Sequence, residues 1–183
     1  MWGKFPGLTP AMNLQSNDFE LFELPLAYAL DRAQLDERWK NLQREVHPDR
    51  HAVADAQTQR QAMQWSVRIN EAYQRLKDPQ QRAAYLCELH GAPIQAENNT
   101  TMPAAFLVQQ MEWREALDEA TTLAQLEDMA DEVAAARQKM LAGLQQTADV
   151  QRDWSALAAQ VRALMFVERF ARDVSKRLDQ LGQ

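Results

Sequence analysis

Glycine and proline are scarce. The chain has 5 and 7 of them in 183 residues, about half the usual share for a globular protein. That excludes a sandwich, a barrel or any other fold built on many tight turns. Cysteine is almost absent: Cys87 stands alone. An internal disulfide and a cysteine-based zinc site are therefore ruled out, and a reducing compartment is expected. Positive charge is in deficit, with 20 basic against 26 acidic side chains and a net charge of −6. No broad basic field exists to hold nucleic acid. Charge or Gln breaks every apolar stretch well short of the roughly 20 residues needed to cross a bilayer. Residues 1–16, with scattered Trp2, Phe5, Pro6, Gly7 and Pro10, read as an irregular leader without the apolar core of a signal peptide.

What is abundant forms helices: Ala, Leu, Gln, Glu and Arg. An all-α chain is expected. A short first helix fits Asp18 to Leu24, stopped near Pro25. A second fits Arg32 to Val46, where Leu35, Trp39, Leu42 and Val46 recur on one helical face. It must stop by His47, because Pro48 disfavours helix in the residue before it. A polar loop runs to Asp55. The third helix continues to about Leu76 on a stripe of Trp65, Ile69, Tyr73 and Leu76. Pro79 opens a fourth, carrying Ala83, Leu86 and Leu89 and stopped by Gly91 and Pro93. Cys87 on this helix reads as a small, partly buried hydrophobe, and His90 as a contact to the helix C-terminus.

Residues 94–102 contain Glu-Asn-Asn-Thr-Thr and no periodicity, so they read as a linker. Pro103 opens a fifth helix to about Ala120. Thr122 and Gln125 have capping-box spacing for a sixth, running to about Gln146. A seventh is expected from Asp149 to Leu181. Two helical domains result, 17–93 and 103–183. The second is more acidic. Within it, residues 97–136 carry one Arg against nine carboxylates, and 137–183 carry eight basic against five acidic side chains. Complementary faces of packed helices would explain this, and so would an acidic patch turned to a partner.

His47-Pro48-Asp49 falls between two amphipathic helices. Before it, Lys40 and Arg44 stand at i, i+4, on the side opposite Trp39 and Leu42. After it come Arg50, a polar loop and a helix containing Ile69-Asn70-Glu71-Ala72-Tyr73. Leu76-Lys77-Asp78-Pro79 and Arg82-Ala83-Ala84-Tyr85 follow. This order resembles a J-domain, which stimulates ATP hydrolysis by DnaK-type chaperones. The resemblance implies that His47, Pro48 and Asp49 contact the chaperone, aided by Lys40 and Arg44. Asn41 and Glu45 stand where J-domains often carry basic residues, and Val46 where an aromatic is common. A less basic face than usual is therefore expected. From the residues alone, a simple turn or a His-x-Asp-x-His metal site are the other readings of the motif, the latter without an evident fourth ligand.

On the fifth helix, Phe106, Trp113, Leu117 and Ala120 share one side, the expected core stripe. The opposite side holds Leu107, Val108 and Met111, then Glu112, Glu115 and Glu119. A bundle helix needs one apolar stripe, so the second is surplus and suits a partner, unless it packs on the first domain. On the last helix, Leu157, Val161, Leu164, Ala171 and Leu178 make a stripe; Phe166 falls across from it, followed four residues on by Phe170. Further markers are Tyr85-Leu86-Cys87-Glu88-Leu89-His90-Gly91, Ala105-Phe106-Leu107, Met111-Glu112-Trp113-Arg114-Glu115-Ala116-Leu117-Asp118-Glu119 and Val161-Arg162-Ala163-Leu164-Met165-Phe166. Over residues 17–183 the whole resembles the HscB (Hsc20) family, the J-type co-chaperones of iron–sulfur cluster assembly. The absence of paired cysteines in the leader favours the bacterial type.

The resemblance implies an N-terminal J-domain with a helical hairpin and a C-terminal three-helix bundle. It also implies that Leu107, Val108, Met111, Glu112, Glu115, Glu119 and Phe166 hold an IscU-type scaffold, which the chain brings to an HscA-type chaperone. No catalytic residue, metal or cofactor is expected, and a cytoplasmic protein is. The alternatives are a J-protein for a different client and a structural helical interaction protein.

Overall fold

The computed structural model describes residues 13–95 and 102–182. The elements are helices: α1 Asp18–Leu21, α2 Arg32–Val46, α3 Ala56–Lys77, α4 Pro79–Leu89, α5 Ala104–Glu119, α6 Leu123–Gln145 and α7 Trp154–Leu181. A 3-10 turn, Pro48–His51, and a π-helical turn, Gln146–Gln151, complete the order. There is no strand among the described residues, and no described helix is long and apolar enough to cross a membrane.

Polar side chains start the helices. Asp31 accepts from the Ala33 and Gln34 N–H groups, Asp55 from Thr58, and Asp153 from Ala156. Thr122 and Gln125 form the expected capping box, and Asn17 with Glu20 forms a second. Two helices end on Schellman hydrogen bonds. At α4, Gly91 takes φ +75°, the Ala92 N–H reaches the Cys87 carbonyl at 2.8 Å and the Gly91 N–H reaches Glu88 at 3.1 Å. At α1 a non-glycine does the same: Glu23 sits at φ 49° and the Leu24 N–H bonds the Phe19 carbonyl at 2.8 Å. The first helix is therefore three residues shorter than expected. Its cost in backbone strain is offset by burying Phe19, Leu21, Phe22 and Leu24.

The start of α7 also differs from expectation. The π turn prolongs α6 through Asp149, and the chain reverses at Arg152, φ 54°, so that Asp153 rather than Asp149 caps the last helix. Nothing in the residue pattern distinguishes the two aspartates.

Two compact units divide the chain, Met1–Arg82 and Ala83–Gln183. The division falls inside α4, upstream of the 94–102 segment expected from the sequence, of which 96–101 lie outside the described residues. Local contacts explain it. Arg82 donates to the Leu76 carbonyl at 2.6 Å and lies over the Tyr28 ring. Beyond it, the Cys87 thiol reaches the Trp154 carbonyl at 3.7 Å, and His90 stacks on Trp154 at 3.7 Å between centroids. The second half of α4 thus packs with the C-terminal helices. Leu89, expected in its stripe, is exposed, and Cys87 is fully buried in its stead.

In the first unit α2 packs on α3, burying Leu35, Leu42 and Val46 against Trp65, Ile69, Tyr73 and Leu76. Asp18 ties α1 to α3. Its carboxylate is fully buried and pairs with Arg68 at 2.7 Å and Arg75 at 2.8 Å. Arg68 also donates to the Leu14 and Ser16 carbonyls, at 3.2 and 2.7 Å. In the second unit the core is Trp113 from α5, Met129 and Val133 from α6, and Val167, Phe170 and Val174 from α7. Phe106 and Leu117 pack against it as expected. Phe170 belongs to this core, stacked on Trp113 at 5.3 Å, and is not part of an outer face with Phe166.

Candidate functional site

Each unit carries one surface of interest. The first surrounds His47. Proline cannot continue α2, so the helix ends at Val46 and the chain enters the 3-10 turn with Pro48 in its first turn. The Pro48 side chain lies outside the described residues. The His47 ring caps this turn: its Nδ1 accepts the Asp49 N–H at 3.3 Å. The neutral ring therefore holds its proton on Nε2. Asp49 is 92% exposed, with its carboxylate 3.7 Å from His47 Nδ1.

Behind the turn the chain is pinned. Arg50 donates to the Arg44 carbonyl at 3.0 Å and to the Glu45 carboxylate at 3.3 Å. His51 donates from Nε2 to the Glu45 carbonyl at 2.9 Å, and Gln59 to the carbonyls of Ala52 and Ala54 at 3.0 Å each. His51 is thereby committed to the backbone, and the described residues hold no cluster of three metal-ligating side chains. Asp49 is left with its acceptor oxygens facing solvent on a fixed turn.

A shallow groove runs beside it, lined by Trp39, Lys40, Gln43, Arg44, His47 and Arg50. Every ionisable group along it is basic. The structure thus brings together Lys40, Arg44 and His47, three of the residues chosen from sequence. It adds Arg50, whose place beside the motif was the only hint, and it uses Glu45 to hold Arg50. Trp39 is corrected. It was expected on the opposite side from Lys40 and Arg44, in the core, but it is half-buried and forms the groove wall. Its indole donates to Asn70 at 2.9 Å and stacks on Tyr73 at 4.5 Å. Tyr73 is fixed in turn by Arg32 and Asp36, each 3.0 Å from its hydroxyl. Hydrogen bonding to Arg32 holds the Asp36 carboxyl below its ordinary range.

The second surface lies on α5. Leu107, Val108 and Met111 are 48%, 53% and 62% exposed, while Trp113 on the other side is 4% exposed. Glu112, Glu115 and Glu119 are all exposed beside them, and none makes an ion pair among the described residues. Core formation does not account for these apolar side chains. The helix has its buried anchor in Trp113, whose indole donates to Glu132 at 2.7 Å. Phe166 is half-buried on α7.

Known proteins share this anatomy. A family model described as the DnaJ domain matches residues 24–85, and one described as the HSCB C-terminal oligomerisation domain matches residues 102–175. The chain is 44% identical over 173 residues to the co-chaperone protein HscB homolog of Burkholderia thailandensis, covering 93% of this chain and 98% of that one. It is 45% identical over 158 residues to that of Bordetella avium, covering 86% and 94%. Among solved structures, the chaperone HscB from Vibrio cholerae superposes with a TM-score of 0.77 at 37% identity, over 91% of this chain and 99% of that one. Human co-chaperone protein HscB gives 0.85 at 25%, over 94% and 86%. The chain belongs to the HscB family of J-domain co-chaperones.

Proposed function

We propose that the chain is an adaptor in iron–sulfur cluster assembly, binding an IscU-type scaffold through α5 and delivering it to an HscA-type chaperone in the cytoplasm. The observation that carries the reading is the exposure of Leu107, Val108 and Met111 opposite a buried Trp113. A row of apolar anchors bordered by Glu112, Glu115 and Glu119 has the composition of a small protein interface. Phe166 adds an aromatic contact. The groove of Lys40, Arg44, His47 and Arg50, with Asp49 at its end, suits an acidic surface on the chaperone, and Asp49 a basic group there. The chain does no chemistry itself and needs no metal or cofactor. Holding both partners raises their effective concentration, so a weak encounter of scaffold with chaperone becomes productive.

The test is steady-state ATPase of an HscA-type chaperone with scaffold, with this protein, and with both. The reading requires the largest rate with both together. A rate unaffected by this protein removes the J-domain role, and stimulation indifferent to scaffold leaves a J-protein for another client. The description of the matched C-terminal family supplies a second reading, self-association of this unit, without naming a surface.

A further inference from the structure

Peroxides attack soft sulfur first, and exposed thiolates before thioethers. The single thiol of this chain is shut away. Cys87 is fully buried, and burial pushes its thiol up to about 12, so it stays protonated near neutral pH. The reactive sulfur is therefore thioether sulfur, and burial sorts the methionines. Met129 lies in one core with Trp113, Met140 packs against that core, and Met102 is buried. Met63, Met111 and Met165 are exposed, and Met111 is the most exposed of the described methionines at 62%.

Of these three, Met111 alone belongs to the α5 row. Met63 is on α3, in the other unit. Met165 precedes Phe166 in the chain but points about 100° away from it around α7. On α5, Leu107 and Val108 come about one turn before Met111, and Glu112 and Glu115 come after it. Met111 is thus the apolar edge against the carboxylate border. We propose that Met111 is an oxidative modification site, at which a peroxide switches scaffold binding off by converting the thioether to a sulfoxide. The proposal rests on the reading of α5 as the scaffold face. A sulfur lone pair attacks one peroxide oxygen, an S–O bond forms, the O–O bond breaks, and the second oxygen leaves as water. Sulfur loses two electrons and the peroxide gains them. A dithiol-dependent sulfoxide reductase reverses the step: two thiols become a disulfide and the oxygen leaves as water.

A pocket that accepts a thioether offers no donor to a sulfoxide oxygen, so binding would bury a strong acceptor unpaired. The loss therefore exceeds that of truncating Met111 to Ala, which leaves no polar atom behind. The carboxylate border also moves one turn up the helix, and only Leu107 and Val108 remain as anchors. The fold is untouched, because the sulfur stands outside the core that Trp113 fills.

The test treats the full chain with hydrogen peroxide until about one oxygen is added per molecule. Peptide mass spectrometry then locates the oxygen, and calorimetry measures affinity for the scaffold. Met111 and Met63 should react before Met102 and Met129. Scaffold affinity should fall at least about tenfold with the melting temperature unchanged, and sulfoxide reductase with dithiol should restore it. Met63→Leu and Met165→Leu should respond to peroxide as the unmodified chain does. Met111→Leu, whatever its own starting affinity, should show no further fall on treatment. An equal fall in Met111→Leu, full affinity in a chain oxidised at Met111, or a Met111 that stays reduced while Met129 reacts, each overturns the proposal. Failure of the scaffold reading looks different. The untreated chain then does not bind scaffold, or binds it as well after Leu107→Ala, and the switch falls with that reading while the mass still reports which methionine reacts.

Discussion

Trp113 and Met111 are two residues apart on α5, yet one is 4% exposed and the other 62%. Both are large and apolar, and periodicity alone separates them. The His47 turn works by other means. Its neighbours Arg50, His51 and Gln59 fix it through backbone carbonyls, and its working groups face water. The α5 face is therefore a packing pattern with its apolar row left uncovered, whereas the turn is a point motif held by hydrogen bonds. One should tolerate gradual change in bulk and the other should fail on a single atom's chemistry.

The sharpest way to break this contrast is on α5 itself. Trp113→Ala removes a buried ring and the bond to Glu132, and should cost about 3–5 kcal/mol of stability. Met111→Ala and Leu107→Ala should leave stability within about 0.5 kcal/mol. Under the proposed function each should instead cost about 1–2 kcal/mol of scaffold affinity. Paired denaturation and binding measurements on the three variants decide it. A large fall in melting temperature for Leu107→Ala with normal binding would make this face core.

The first unit has its own buried anchor, and it is ionic. Asp18→Ala strands Arg68 and Arg75 beside an emptied site. Both guanidiniums reach some water, so the expected loss is about 2–4 kcal/mol, below that of a fully enclosed pair. Urea unfolding of this variant measures it, and an unchanged midpoint would show that the pair does no more than replace hydration.

Much of the fold was readable because helix formers, Pro48, Pro79 and the Gly91–Pro93 stop punctuate the chain. Five of the seven helices begin and end within a residue or two of their expected places, and α1 and α7 do so at one end only. The misses share a cause. Glu23 and Arg152 adopt left-handed backbone without being glycine, and their neighbours' tertiary contacts enforce it, so no local pattern announces α1's early end or α7's late start. Trp39 fitted a core stripe by spacing. A stack on Tyr73 and a bond to Asn70, both on another helix, put it in the groove wall instead. Phe170 looked like a companion of Phe166, but Trp113 claims it. The charge imbalance of the second domain had two explanations. Glu112, Glu115 and Glu119 are exposed and make no ion pair among the described residues, whereas Asp118 shares a groove with Lys176 and Arg177, so each explanation has residues behind it.

A smaller effect distinguishes the buried end of α4. Burial pushes the Cys87 thiol up to about 12, from an ordinary value of 9.0. A folded value above the unfolded one means that the contribution is complete below about pH 9 and is lost as pH rises toward 12. Urea midpoints at pH 8 and 10.5 should fall further in the unmodified chain than in Cys87→Ala. Equal falls would show that the thiol is not titrating with unfolding.

The smallest expected change in stability comes with the largest expected change in activity. His47→Gln keeps a polar side chain at an exposed position. The ring's one described backbone contact is the 3.3 Å capping bond from Asp49, which a glutamine oxygen can accept in part. Stability should shift by under about 0.5 kcal/mol. Stimulation of the chaperone should nonetheless disappear. The imidazole presents its Nε2 proton from a ring held by Nδ1, and a flexible amide offers neither that direction nor that rigidity. Lys40→Glu with Arg44→Glu should act the same way for another reason. Reversing the groove's charge slows association and inverts its salt dependence, while the packing of α2 on α3 stays as it is. Thermal unfolding and ATPase stimulation measured on the same preparations check both. Full stimulation by His47→Gln at saturating concentration would mean that the turn only spaces two helices, and the groove would then have to carry the chaperone contact through Lys40, Arg44 and Arg50 alone.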